Sequence, residues 1–509
     1  MVLDQVRTHE NYLSFMLPRI QKLFLEKPGQ VLFYLDAFLK AYLMNLDEGA
    51  ELLKGCYSNN FGRPADFDPG DMLRSLVIMV SLKITSIPEW SNKLAKSDVL
   101  AVLSGFEPGK TPSVGAFYDF WNRLWLEDKR LRIQRKKRLR KKRKKPKNVK
   151  KGEKLKNRRP GVVDRIVKFF RKGRFFSTKR PELLLQELFT SVFVKGSKDR
   201  DIIPKQMELA GDGSPFKSCS NPFGKPVCSC RKEGNYRCDC PRSYTDVYAN
   251  WGYDSSRDVY FWGRNLYSLS CTNGEAELPV FLRFGQGSRH DSVLLAFTIV
   301  EAWPLLEKGG LKPGIFIGDS AHDAYPLYTL LEDYGTQPVI DLKKKPVSVL
   351  PLNKQGIPLC PKGFLMQYWG VEEKKSRFKW RCPKITGKKI NRDKVDCDTP
   401  CTESSYGFTC YTKPEWDRRI FTNIARGSAL WKKLYRKRPV SERVNKRYND
   451  FGLNNARVRE NCYWHHLAHM AAINMHLDAW VKKELEITGL DKEELLLHFL
   501  GIGASAVCA

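Results

Sequence analysis

Nowhere in its 509 residues does the sequence hold the roughly 20 uninterrupted apolar residues that span a bilayer. The first dozen residues also lack a basic segment followed by an apolar one, the mark of a secretory leader. These absences lead us to expect a soluble, cytoplasmic protein with no membrane partner. Acidic residues are the second shortage: 56 Asp and Glu stand against 88 Lys and Arg, for a formal net charge of +32. That imbalance exceeds what solubility asks of a surface and points to a polyanionic partner. Nucleic acid fits, because each phosphate neutralised by a basic side chain releases counterions and contributes affinity regardless of sequence. On charge alone, DNA, RNA and anionic membranes fit equally. No repeat of 20–50 residues is present.

What the sequence has is 42% hydrophobic and 12% aromatic content, enough for a substantial core divided among two or three modules. Residues 1–128 read as a helical domain. Met72, Leu73, Leu76, Val77, Met79 and Val80 recur at helical spacing, as do Phe117, Phe120, Trp121, Leu124 and Trp125. A compact DNA- or end-binding module suits this pattern, and so does a purely structural bundle. A basic linker follows at residues 129–165. Between Lys129 and Arg159 it carries 20 Lys and Arg against one acid, Glu153, with Arg135, Lys136, Lys137 and Arg138 in its dense part. Such a run repels itself too strongly for a secure free helix, and we expect it to order on binding phosphates. A solvated linker or a nuclear localisation signal would have the same composition.

Residues 166–350 change rhythm. A helix is predicted at 183–193, then strands at 207–210, 259–270 and 278–284, a helix at 292–306, a buried strand running from Gly314 to Asp319, a helix at 325–331 and a strand at 338–342. Consecutive strands followed by helical crossovers give a mixed α/β sheet. The rhythm is lost in a Cys-, Lys- and Gly-rich stretch at 351–414, which reads as an insertion. It resumes at 415–485 with helices at 427–436, 442–450 and 461–485, and residues 486–509 read as a C-terminal tail.

Asp212 and Asp319 each follow an apolar strand, where a sheet would hold a carboxylate rigidly at a cleft. Carboxylates are the hard ligands that Mg²⁺ or Mn²⁺ requires, and cofactor-free phosphoryl transfer uses two such ions. An ordinary turn Asp is the competing reading of either residue. Three blocks decide between them. Gly211-Asp212-Gly213-Ser214, Gly318-Asp319-Ser320-Ala321-His322-Asp323 and the set Tyr435, Arg438 and Glu442 occur in this order. Together they resemble the bacterial insertion-sequence transposases that carry a DDE triad with a Tyr-Arg-Glu-Lys signature. His290-Asp291-Ser292 and Gly263-Arg264-Asn265-Leu266 lie between them where that family has similar strings, and residues 69–82 and 112–124 resemble the helical end-binding domain of part of it. The likeness spans roughly residues 60–480. It departs at Asn449, where the signature has Lys, and at Ser320 and His322, which stand for the usual Lys and Tyr.

The resemblance implies a ribonuclease-H-like mixed sheet with flanking helices. It also implies Asp212, Asp319 and Glu442 as catalytic ligands of two Mg²⁺ or Mn²⁺ ions. Double-stranded DNA, as element ends and as target, would be the substrate, a homodimer the synaptic assembly and the nucleoid the location. Tyr435 and Arg438 would hold a phosphate near the cut, with Lys446 or Arg447 in place of the missing Lys. A domesticated, catalytically impaired zinc-containing DNA binder is the alternative, which Asn449 favours.

Cysteines outside a secretory context are read as thiols or metal ligands rather than as disulfides. Cys228, Cys230, Cys238 and Cys240 form two close pairs in a Gly- and Lys-rich loop at 217–242, a pattern that can supply a tetrahedral structural zinc site; free thiols are the other reading. Cys360, Cys382, Cys397 and Cys401 could form a second site, and some members of the resembled family carry a similar insertion. His465 and His469 have the i, i+4 spacing of a metal pair, but no Glu follows His465, so core packing or DNA contact is expected of them.

Overall fold

The computed structural model describes residues 3, 5–57, 62–126, 160–174, 180–238, 240, 242–255, 257–343, 348, 350–386, 395 and 397–502, with the backbone of Lys136 and Lys137. The first helices obey the periodicity of the sequence. In α1 (His9–Glu26), capped by the Thr8 hydroxyl, Tyr12, Met16, Ile20 and Phe24 recur every four residues and are buried. After α2 (Leu35–Leu43), α3 (Pro69–Ser81) starts with a proline at its first position, where no N–H is missed, and with Asp68 accepting from the Gly70 and Asp71 N–H groups.

A mixed sheet with flanking helices lies at the centre. Its middle strand is β1 (Gln206–Lys217). The short strand β2 (Asn250–Asp254) forms a hairpin with the first half of β3 (Val259–Cys271), and β4 (Leu278–Gln286) pairs with the second half, all antiparallel. β3 lies antiparallel to one side of β1. On its other side β5 (Lys312–Gly318) runs parallel to β1, and β6 (Gln337–Ile340) parallel to β5. Parallel neighbours need a crossover. The helix α4 (Asp291–Lys308) supplies it between β4 and β5, and α5 (Tyr325–Asp333) between β5 and β6. The sheet order is thus β4-β3-β1-β5-β6, with β2 extending the edge beside β4.

One strand differs from its sequence reading. The apolar pattern predicts that β1 ends at residue 210, ahead of Asp212, yet it continues to Lys217 because β3 offers it a partner along that whole length. The parallel register with β5 stops at Ala210–Ile317. Asp212 is therefore mid-strand towards β3 and past the last rung towards β5, where a cleft opens.

Beyond the sheet come α6 (Ala429–Tyr435), α7 (Pro439–Asp450) and the 28-residue α8 (Asn461–Thr488). From Trp464 to Leu477 nearly every side chain of α8 is buried, as befits a helix enclosed on all sides. The N-terminal helices cover one flank and β4 the other. Polar clamps fix the contact: Lys40 Nζ meets Asp478 at 2.7 Å, and Asn474 donates to the Val77 carbonyl at 2.9 Å. One hydrophobic cluster consequently runs from α1 through α8 into the sheet.

Within 351–414 a separate antiparallel sheet of β7 (Gln367–Glu372), β8 (Arg377–Arg381) and β9 (Thr409–Thr412) closes on its own small core of Ile357, Met366, Phe378 and Trp380. The stretch 486–509 holds the helix α9 (Lys492–Leu500), started by a reciprocal Asp491–Glu494 capping box and docked through Phe499, which stacks on Tyr42 at 3.7 Å. Of the basic linker, Arg135 and Arg138 lie outside the described residues, and Lys136–Lys137 form a two-residue bridge to Arg242–Ser243.

Candidate active site

Asp212 sits between two glycines because its neighbours occupy the space that side chains would need. A Cβ on Gly211 would stand 2.3 Å from the Tyr267 hydroxyl, and one on Gly213 would stand 2.3 Å from Asp291 Oδ1. The phenol and the second carboxylate thus press against the backbone on either side of Asp212. Asn445 of α7 donates to the Asp212 carbonyl at 3.4 Å, tying that helix to the strand.

Asp319 follows β5 and caps a single turn. Its Oδ1 accepts from the Ala321 N–H at 2.9 Å and from His322 Nδ1 at 2.8 Å. The far nitrogen of the buried His322 lies 2.9 Å from the Tyr267 hydroxyl, so a chain of hydrogen bonds runs from the strand β3 to Asp319. The charges are unequal in consequence. Burial, then repulsion from Asp291 and Asp319, pushes the Asp212 carboxyl up to about 7, against the pull of His322 and Arg438. Asp319 moves the other way: burial alone would raise it, but the His322 bond, the Ala321 N–H and Arg438 outweigh burial and hold it below the usual range. Burial likewise disfavours charge on His322, yet its bond to Asp319 and the charges of Asp291 and Asp212 raise it above the ordinary histidine value.

The third block arrives from across the 351–414 stretch, and three contacts return it. Arg419 donates two bonds to Asp323 at 2.7 Å each, Arg426 donates to the Ile340 carbonyl at 2.6 Å, and Lys437 meets Glu208 at 2.6 Å. Trp431 and Leu434 of α6 pack on Ala210, Ile317 and Val339 beneath the cleft. Arg438 then bridges the two remaining acids, donating to Glu442 and lying 3.5 Å from Asp319 Oδ2. Glu442 is otherwise half-exposed.

Asp212, Asp319, Arg438, Glu442, Lys446 and Asn449 line one cleft of about 920 Å³. Two residues expected beside them are elsewhere. Tyr435 stacks on Trp431 at 4.7 Å below the cleft, its phenol pushed up to about 12 by burial and by Asp341, and Arg447 points away, donating to the Glu277 carbonyl at 2.9 Å. Conversely, Asp291 joins the cleft wall as a fourth carboxylate, buried and raised in pKa by that burial. The only signal of it in the sequence is its place in His290-Asp291-Ser292, at the start of α4.

A family model described as a transposase DDE domain matches residues 204–473, more than half of the chain. The chain belongs to the DDE transposase domain family. No curated protein and no solved structure matches it. Membership in a DDE transposase family implies divalent-metal-dependent nuclease and strand-transferase chemistry, with DNA as the partner. The cleft's donors suit such a metal. They are carboxylate oxygens, the hard ligands that Mg²⁺ accepts, and a bound divalent cation would offset both the burial and the repulsion from Asp291 and Asp319 that disfavour charge on Asp212. Arg438 stands between Asp319 and Glu442.

The transposase carries a second metal candidate. The Sγ atoms of Cys228, Cys230, Cys238 and Cys240 all lie within 4.8 Å of one another, with Cys228–Cys238 and Cys230–Cys240 at 3.6 Å. Four thiolates about 2.3 Å from a zinc ion form a tetrahedron with edges of about 3.8 Å, so this set fits. The loop is anchored to the sheet by Asp246, which accepts from buried Arg264 at 2.7 Å and from Ser218 at 2.8 Å. Cys360, Cys382, Cys397 and Cys401 share the wall of a cavity of about 160 Å³. Among the described residues they do not close to the 4.8 Å spacing of the first set. The late histidines are core residues: His469 meets the His465 carbonyl at 2.7 Å, and His476 meets Ser197 and the Pro279 carbonyl at 2.7 and 2.8 Å. No described helix is long and apolar enough to cross a membrane.

Proposed function

We propose that this DDE transposase binds the ends of its own element, cuts them and joins the freed strand to target DNA, as a member of the insertion-sequence type with the Tyr-Arg-Glu signature. The observation that carries the reading is the convergence of Asp212, Asp319 and Glu442, from three distant blocks, on one cleft. The strand order of the sheet, antiparallel on one side of β1 and parallel on the other, supports a ribonuclease-H-like assignment.

Two divalent ions, when bound, would activate the attacking oxygen and stabilise the leaving one. Asp212 would hold them from the strand β1 and Asp319 from the turn that follows β5, and Glu442 would complete the set from α7. His322 keeps one oxygen of Asp319 engaged, which turns its other oxygen, Oδ2, toward Arg438 and the cleft. Once released from the acids, Arg438 can contact a phosphate with two N–H groups. Lys446 adds a positive charge to the cleft wall beyond Glu442. The four-cysteine loop would be a structural zinc knuckle that stiffens a segment too polar for its own core. The cysteines of 351–414 are proposed as a second such site. The basic linker would grip duplex phosphates, the N-terminal helices recognise the ends, and two copies assemble on a pair of ends in a nucleoid setting.

The test is direct. Full-length protein is incubated with Mg²⁺ and a plasmid bearing the DNA that flanks its coding region, beside Asp212→Asn and Asp319→Asn. Nicking at the ends by the native protein alone is expected. Equal nicking by the variants would sink the assignment, and tight DNA binding without any nicking would favour the impaired binder.

A further inference from the structure

The mouth of the cleft carries side chains that metal-dependent phosphoryl transfer does not use. The β2–β3 hairpin pairs Trp251 with Trp262 and Tyr253 with Tyr260, which sets four aromatic rings on one face. Trp262 is buried, stacked on Tyr244 at 6.0 Å and donating to the Ser220 hydroxyl at 2.9 Å. The other three are open: Trp251 is 44% exposed, Tyr253 51% and Tyr260 75%. All three line the same cleft as Asp212 and Asp319. The Tyr253 hydroxyl donates to Asp258 across the turn, which steadies its ring without covering it, and the Tyr260 ring lies 5.1 Å away.

Apolar faces gathered at one end of a hairpin normally signal a ligand. Position and charge identify it. The faces continue the carboxylate cleft of a DDE transposase domain, with Arg289, Arg438 and Lys446 on the same wall. Inside a duplex each base is stacked on its neighbours, whereas an unpaired base has a free face for an aromatic ring. We infer that Trp251, Tyr253 and Tyr260 form a stacking site for unpaired nucleobases of a DNA strand whose backbone lies in the carboxylate cleft. The inference rests on the reading of that cleft as a DNA-processing site, but its test needs no catalysis.

Full-length protein, without added Mg²⁺ or Mn²⁺, is titrated with a fluorescent oligothymidylate and with an oligomer of equal length whose nucleotides are abasic. Stacking of about 1–3 kcal/mol per base corresponds to roughly 5–150-fold in affinity. The native protein is therefore expected to prefer the base-bearing oligomer by at least about 10-fold. The double variant Tyr253→Ala/Tyr260→Ala should lose that preference and keep its affinity for the abasic oligomer, whereas Tyr253→Phe/Tyr260→Phe should retain both. Equal binding of the two oligomers by the native protein overturns the inference, even if an alanine variant fails to fold. So does a preference that survives in Tyr253→Ala/Tyr260→Ala combined with Trp251→Ala, or one that the phenylalanine variant loses. A self-association that the alanine variant abolishes, without base preference in the native protein, would assign the face to a second copy instead. Failure of plasmid nicking would leave a measured base preference standing, and absence of the preference would leave nicking untouched.

Discussion

Replacing Asp212 by Asn should make the metal-free protein more stable at neutral pH while removing its activity. In the native fold the carboxyl is pushed up to about 7 by burial and by the neighbouring Asp291 and Asp319, from an ordinary 3.8. Between those values the folded chain holds a proton that the unfolded chain has released. Stability from this group is therefore complete below about pH 4 and is lost as pH rises through about 7. Three units at about 1.4 kcal/mol each set a ceiling of about 4 kcal/mol. Water entering the open cleft reduces it, so roughly 1–4 kcal/mol is expected. An amide carries no charge to desolvate and escapes this loss. In buffer without added divalent metal, thermal melts at pH 8 should place Asp212→Asn above the native protein by a few degrees, on the order expected for a large chain. The gap should close towards pH 4. Mg²⁺ should raise the melting temperature of the native protein at pH 8 more than that of the variant, since a ligand of the folded state stabilises it by mass action. A variant that melts at or below the native protein at pH 8, or a gap of equal size at both pH values, would refute the reasoning.

Three further outcomes can be checked together. Gly213→Ala places a methyl group 2.3 Å from Asp291 Oδ1 and should cost about 1–3 kcal/mol and at least tenfold in nicking rate. Cys228→Ser should lower bound zinc, read by elemental analysis, and speed proteolysis within 219–240 without shifting the main melt. Lys446→Ala should weaken duplex binding and reduce the slope of log K against log salt by about one, while Arg447→Ala should leave both unchanged and lower stability through its lost bond to the Glu277 carbonyl.

The contrast between Lys446 and Arg447 shows where sequence reasoning stops. Adjacent helical residues point about 100° apart, and which one meets the cleft depends on how α7 is rotated against the sheet, a tertiary property. Local signals are sufficient elsewhere. The apolar run ahead of Asp319 marks β5, and the periodicity of 461–485 marks α8 within three residues of its end. The extension of β1 past Asp212 has no local signal, because pairing with β3, some fifty residues on, imposes it. Asp291 escapes a sequence reading because a carboxylate at a helix start is usually explained by the helix itself, and only the approach of Gly213 shows where it points. The Asp491–Glu494 capping box of α9 is legible in the sequence, inside a segment whose length alone suggests a tail. The cysteine pairs 228/230 and 238/240 are legible as a cluster because short spacing leaves their sulfurs little freedom.

The burial of α8 limits how the molecule can be divided. One flank is covered by helices that precede the basic linker and the other by the sheet that follows it, with Lys40–Asp478 and Asn474–Val77 pinning the first of these. A chain begun after residue 128 would expose the side of α8 that packs on α3, and a fragment ended there would lack the helix its own core closes upon. A helical module from another protein therefore cannot simply be grafted onto this sheet: an exchange would have to carry α8 with it, or redesign the seam.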